Sequence, residues 1–258
     1  MSTRDIAILT ALALAVVAVF LFVAPIPQDP AYHRFADARA LLGVANFWNV
    51  ASNLPFLVIG AWGVAFVMRH GHAVTLPGLQ LAYLVFFSGV FLTAFGSAYY
   101  HLSPANEPLA WDRLPMTIGF AGLFAVIVGE FVSPRVGRLL VLPLLLLGVV
   151  SVEYWIWGES KGAGDLRLYA VVQFLPMLLV PLILAFYKPA IGSSKYFWGM
   201  LGFYVLSKIM EFLDAPIFAA GGAISGHSLK HLFAAAATAM VLLGLMHRLT
   251  PARAANDD

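Results

Sequence analysis

The chain has 258 residues, 61% hydrophobic and only 11% charged, and its mean hydropathy is +0.87. A soluble domain carries about 25% charged residues, so this composition points to a polytopic helical membrane protein, small enough for one bundle. The net charge of +2 gives no sign of nucleic-acid binding, and the absence of cysteine excludes disulfides and thiolate metal ligands.

A spanning helix needs about 20 apolar residues. Such runs occur at 6–23, 47–68, 79–100, 114–132, 139–157, 168–187, 196–213 and 227–248, so the expected fold is an all-α integral membrane bundle of eight helices. The first run is too long for a signal peptide and lacks a small-residue cleavage site, so it is expected to be retained. Pro143 predicts a kink or a late start in the fifth run, while Pro176 and Pro181 are tolerable inside a membrane helix. The expected organisation is an extra amino-terminal helix (1–24), a polar loop (25–46) able to act as a lid, a seven-helix core (47–248) and a cytoplasmic tail (249–258).

With eight crossings both termini share one side. That side would hold Arg4, Arg69, Arg135, Arg138, Lys188, Lys195, Arg248 and Arg253, and the other Arg34, Arg39, Arg113, Lys161 and Arg167. The excess of basic residues places the termini in the cytoplasm.

In this topology the third run ends outward at His101, the fourth begins just after Asp112, and the eighth begins with His227 and His231. The second begins near Asn46 and Asn49, on the same non-cytoplasmic face. Ionisable groups at membrane depth are expensive and mark functional sites. His227 and His231 are four residues apart, on one helical face, as two ligands of one metal require. Ser97 and His101 share that spacing, which puts the hydroxyl one turn below the imidazole. Three neutral imidazoles with an open fourth position make a catalytic zinc arrangement. Asp112 would then either activate the water or hydrogen-bond a ligand histidine. The plainer alternatives are that Asp112 caps the fourth helix, that Arg113 snorkels, and that Ser97 bonds back to a carbonyl. His33 lies on the same side as a weaker candidate ligand. Lys208, Glu211 and Asp214 recur at three-residue intervals and form either a self-satisfied ion pair or a polar wall of the cavity. Glu153, Trp155 and Trp157 resemble an interfacial aromatic belt with a solvated acid.

The run Asn46-Phe-Trp-Asn-Val-Ala-Ser-Asn53, the segment Gly96-Ser-Ala-Tyr-Tyr-His101 with Asp112 eleven residues on, and the His227-x3-His231 pair together resemble the alkaline ceramidases. That family belongs to a wider superfamily of seven-helix hydrolase-like proteins that includes the adiponectin and progestin receptors. The resemblance covers the second to eighth runs and implies a seven-helix ceramidase-like bundle with one extra amino-terminal helix. It implies a zinc-dependent amidase acting on ceramide or a related membrane N-acyl lipid, with zinc on His101, His227 and His231. Ser97 and Asp112 would assist the water and the tetrahedral intermediate. In a bacterial inner membrane the site would face the periplasm. Eukaryotic alkaline ceramidases carry a glutamate before Phe-Trp-Asn that serves a calcium site. Asn46 stands there in this chain, so calcium is expected to be dispensable.

Two other functions fit the same residues. A receptor-like lipid-binding protein would hold a structural zinc closed by Asp112 as fourth ligand. A transporter would use Lys208, Glu211 and Asp214 as a relay.

Overall fold

All eight predicted runs fold as helices in the computed structural model, which describes residues 3–254. In chain order they are α1 (Thr3–Phe22), α2 (Phe47–Ala51) with α3 (Leu54–Val74), α4 (Gln80–Leu102), α5 (Asn106–Phe131), α6 (Pro134–Glu159), α7 (Arg167–Phe186), α8 (Lys195–Phe212) and α10 (Gly226–Ala254). The sequence did not predict the short helix α9 (Asp214–Gly221) or the 3-10 turn Pro30–His33. No strand occurs among the described residues.

Among the described residues, six spans are long and apolar enough to cross a membrane: Phe47–Val74, α4, α5, α6, α7 and Gly226–Leu249. The exterior suits that setting. Val58, Leu142, Leu146, Leu178, Phe186 and Phe212 are all exposed on the outside of the bundle, where a soluble protein would place polar groups. α8 is different, carrying Lys195, Lys208 and Glu211 within 18 residues.

Three boundaries differ from expectation. α5 starts at Asn106, so Asp112 lies inside the helix and does not cap it. α6 starts at Pro134 under a Ser133 cap, and Pro143 is internal rather than a late start. α10 continues through Ala254, into the segment read as a tail.

Between apolar helices in lipid, close packing replaces the hydrophobic effect as the force of association, and small residues make it possible. The α4–α5 contact shows how. A Cβ on Gly89 would collide with the backbone of Gly119, and one on Gly96 with the carbonyl oxygen of Trp111. Pro115 has no N–H, so that Trp111 carbonyl lacks its usual helical partner. Gly96 therefore lets α4 approach α5 just where the helix is loosened, which brings His101 and Asp112 to the same level. α3 packs on α4, α5 on α6, and α8 on α10, while α10 closes the ring against α3. α7 packs on α5 and α6 but hardly touches α8.

The far end of the bundle is held by a buried polar cluster. Arg248 donates to both Glu130 oxygens (2.6 and 2.7 Å) and to the Val74 carbonyl (3.2 Å), and Tyr83 donates to Glu130 (2.5 Å). The Glu130 carbonyl accepts from Ala190 in the α7–α8 connection. One carboxylate thus ties α4, α5 and α10 together.

Candidate active site

The other end of the bundle gathers four helix termini. α4 finishes there with His101, α10 starts with His227 and His231, α2 brings Asn49 and Ser52, and α5 passes through with Asp112. His101, His227 and His231 are 1%, 6% and 4% exposed, so these imidazoles are withdrawn from water. One nitrogen from each lies within 4.8 Å of the other two. His101 Nε2 and His227 Nε2 are 3.4 Å apart. Zinc–nitrogen bonds of about 2.0–2.1 Å set two tetrahedral ligands about 3.4 Å apart. The pair therefore has the spacing of one edge of a tetrahedral zinc site.

The surrounding bonds prepare the rings for that role. Ser52 Oγ lies 2.8 Å from His231 Nδ1 and 3.2 Å from the Asn49 carbonyl. With the hydroxyl proton on the carbonyl, Nδ1–H would donate to Oγ and leave the Nε2 lone pair free. Asn49 is itself fixed, donating to the Asp37 carbonyl (3.0 Å) and accepting from Ser228 Oγ (2.8 Å). The Asp214 carboxylate accepts from the His227 backbone N–H (2.7 Å) at the start of α10 and from that of Ala36 (2.9 Å) in the loop above. His101 Nδ1 is buried with no hydrogen-bond partner, so packing alone orients this ring within the protein. The donor set is three imidazoles, with Asp112 outside the cluster. These three nitrogens fit a bound metal ion.

The 25–46 segment covers the cluster. Phe35 packs on His101 and His227, with ring centroids 4.7 and 4.5 Å away. His33 bonds Tyr100 Oη and Asn106 Oδ1 through its two nitrogens (3.0 and 2.9 Å), so neither is free for a metal. Asn46, in the left-handed region (φ 47), donates to the His101 carbonyl (2.8 Å) and pins the loop to the end of α4. Asp37 is buried and gripped by Arg39, whose Nε and Nη2 donate to its two oxygens (2.8 and 2.7 Å). These bonds hold the Asp37 carboxyl below the usual aspartate range.

Below the cluster lies a cavity of about 140 Å³. Ser97, Asp112, His231, Lys208 and Lys230 line its upper end. Ser97 and Asp112 both face this end of the cavity. The rest of the wall is mostly apolar, with Phe86, Val90, Met116, Phe120, Met177 and Met200. α7 and α8 both face the cavity and barely touch each other, so the bundle is loosest between them.

Several expectations change. Lys208 and Glu211 do pair (2.6 Å), but the third member of the cluster is Lys230 (2.5 Å), not Asp214. Arg113 does not snorkel. It is 5% exposed, donates to Gln28, and lies over the rings of Trp155 and Tyr169 (4.2 and 4.7 Å). Trp155 is accordingly fully buried rather than part of an interfacial belt, while Trp157 and Glu153 are exposed. Phe35, Ser52 and Lys230 were not singled out from the sequence. Ser52 and Asn49 share a polar stripe at the start of an apolar run, which is the one available signal.

A family model described as Ceramidase matches residues 40–214. The match takes in Ser97, His101 and Asp112 and stops before α10. No curated protein matches the chain.

Proposed function

From the premise that the chain belongs to the ceramidase family, we propose that it is a zinc-dependent membrane hydrolase cleaving the amide bond of ceramide or a related N-acyl lipid. The observation that carries this reading is the convergence of three buried imidazoles at the polar end of an otherwise apolar cavity. His101, His227 and His231 would hold the metal. When bound, zinc supplies a Lewis acid that polarises a carbonyl and makes water more acidic.

The chain's own residues do the rest. Asp112 takes a proton from the attacking water and delivers it to the leaving nitrogen as the C–N bond breaks and the new C–O bond forms. Ser97 donates a hydrogen bond to the carbonyl oxygen as it becomes an oxyanion. The acyl chain lies along the apolar wall and enters sideways from the bilayer between α7 and α8. Phe35 closes the aqueous side over the histidines.

In this reading α1 and α8 also cross the membrane, giving eight spans over residues 3–254. The 18 residues of α8 rise about 27 Å, close to the ~30 Å hydrocarbon thickness. The 1–24 helix, the 25–46 lid and the 47–248 core are then the working parts, with both termini cytoplasmic and the site periplasmic in a bacterial inner membrane. Cysteines at Ser103 and Ala223 should react with an impermeant reagent in intact cells; reaction only after lysis reverses the orientation.

The deciding experiment is elemental analysis of the purified protein, followed by incubation with a mixed lipid extract and mass spectrometry. The expected result is about one zinc per chain and release of a long-chain acid and an amine-bearing base. Both should be lost when His101, His227 and His231 are changed to Ala. Stoichiometric zinc in the triple variant overturns the metal assignment, and intact amides after incubation with zinc-loaded protein overturn the hydrolase.

A further inference from the structure

Two lysines stand in the polar wall of the cavity. Lys208 on α8 and Lys230 on α10 share a single carboxylate, Glu211, through its two oxygens (2.6 and 2.5 Å). An ammonium has three donors. Each of these two makes one hydrogen bond within the protein, and Lys208 also lies 5.7 Å from the Phe174 ring centroid. Both line the cavity beside Asp112, Ser97 and His231. Charged groups at this depth cost several kcal/mol unless they are paired, so such groups are retained for a use. With one hydrogen bond each inside the protein, the two ammonium groups have donors left for a ligand in the cavity.

The geometry points to Lys208 and Lys230 as a subsite for the carboxylate of a long-chain acid whose tail fills the apolar part of the cavity. This rests on the hydrolase reading, and it says what becomes of the product. Hydrolysis adds water across the C–N bond. The nitrogen side leaves as an amine, and the acyl side becomes an acid that loses its proton at neutral pH. The new anion therefore arises at the head of the chain in the cavity, beside the wall where the two ammonium groups stand. An anionic group on the amine side of the lipid would instead emerge on the opposite side of the scissile bond, away from the tail pocket. Glu211 spaces the two cations and takes up part of their charge, so the acid is held without being trapped. The consequence is inhibition by the acid product and selection for long unbranched acyl chains.

The test compares binding of a fluorescent long-chain fatty acid and of the alcohol of equal length to the zinc-loaded protein in detergent. The acid should bind about tenfold or more tighter than the alcohol, as a charge-assisted hydrogen bond allows. Lys208→Met should abolish that preference while leaving alcohol binding and zinc content intact. Lys208→Arg should keep it, and Glu211→Gln should increase it. Equal affinity for acid and alcohol in the wild type, or an undiminished preference in Lys208→Met, overturns the subsite. Because binding is read without turnover, the two readings separate. Acid preference in a protein that leaves every amide intact supports the subsite and removes the hydrolase. Turnover with no acid preference does the reverse.

Discussion

Ser52 Oγ lies 2.8 Å from His231 Nδ1, and this one bond decides which nitrogen of His231 faces the other two histidines. With the hydroxyl proton on the Asn49 carbonyl, the imidazole would donate through Nδ1 and offer Nε2. A partner that fixes a ligand's tautomer is worth about 10–100-fold in metal affinity. Ser52→Ala should therefore weaken zinc binding by that amount without removing a ligand. Competition against a chelator of known affinity measures it directly. An unchanged dissociation constant would show that Ser52 merely fills space.

The segment 25–46 is anchored by protein groups. Both Asp37 oxygens are occupied by Arg39, Asp29 accepts from the Ala31 N–H, and Asn46 is neutral. Calcium prefers six to eight oxygens, several of them carboxylate. A calcium-selective chelator should leave thermal stability and any hydrolysis unchanged; a large loss restored by calcium contradicts this.

The same pair predicts a pH response. Folding lowers the Asp37 pKa through the Arg39 hydrogen bonds. Its contribution to stability is therefore complete above the unfolded aspartate value of about 3.9 and fades as pH falls through the lower folded value. Arg39→Met should reduce the stability lost on acidification from about pH 5. Melting curves of the two proteins at matched pH test this, and parallel acid losses argue against it.

Much of this site could be seen in the sequence because helical periodicity is local. Ser97 and His101, like His227 and His231, lie one turn apart on their own helices, so their facing could be read from spacing alone. What could not be read depends on partners far along the chain. Ser52 meets His231 across 179 positions, and Phe35 reaches His227 only because Asp214 ties Ala36 to the start of α10. The polar stretch from Asn106 to Asp112 looked like a loop. It is helical because its groups are engaged in place: Asn106 bonds His33 and Glu159. Arg113 looked like a snorkelling cation, since nothing in the sequence said that Trp155 and Tyr169 would offer it two aromatic faces. The span count ran differently. α8 falls outside the six long apolar spans because Lys208 and Glu211 interrupt its apolar run.

At the far end of the bundle, Glu130 and Arg248 form a bidentate pair with side chains 0% and 10% exposed. Breaking one side of such a pair strands a buried charge and costs about 3–5 kcal/mol. Arg248→Met should lower the midpoint of unfolding in detergent markedly, and Glu130→Gln, which keeps hydrogen-bonding capacity, should lower it less. Equal, small effects would mean that the two groups are solvated in place. Neither change touches the histidine cluster, so zinc content of the surviving folded fraction should be normal.

The sharpest test separates metal binding from chemistry at Asp112. Its carboxylate lies outside the group of three imidazoles, yet it lines the cavity beside Ser97 and His231. In Asp112→Asn the shape is nearly kept, but the amide is a poor base and cannot carry a proton to the leaving amine. Zinc should be retained and lipid still bound. Turnover should fall by about 10²-fold or more, the usual cost of losing a general acid–base group. Ser97→Ala should also keep its zinc and slow turnover by about 10²-fold, the effect of losing one oxyanion donor. Single-turnover kinetics with zinc measured on the same sample distinguishes the outcomes. If Asp112→Asn loses its metal, the carboxylate is a fourth ligand, the site is closed, and the receptor-like alternative takes precedence. If both variants hydrolyse lipid at the wild-type rate, the proton path through Asp112 is wrong, whatever the metal does.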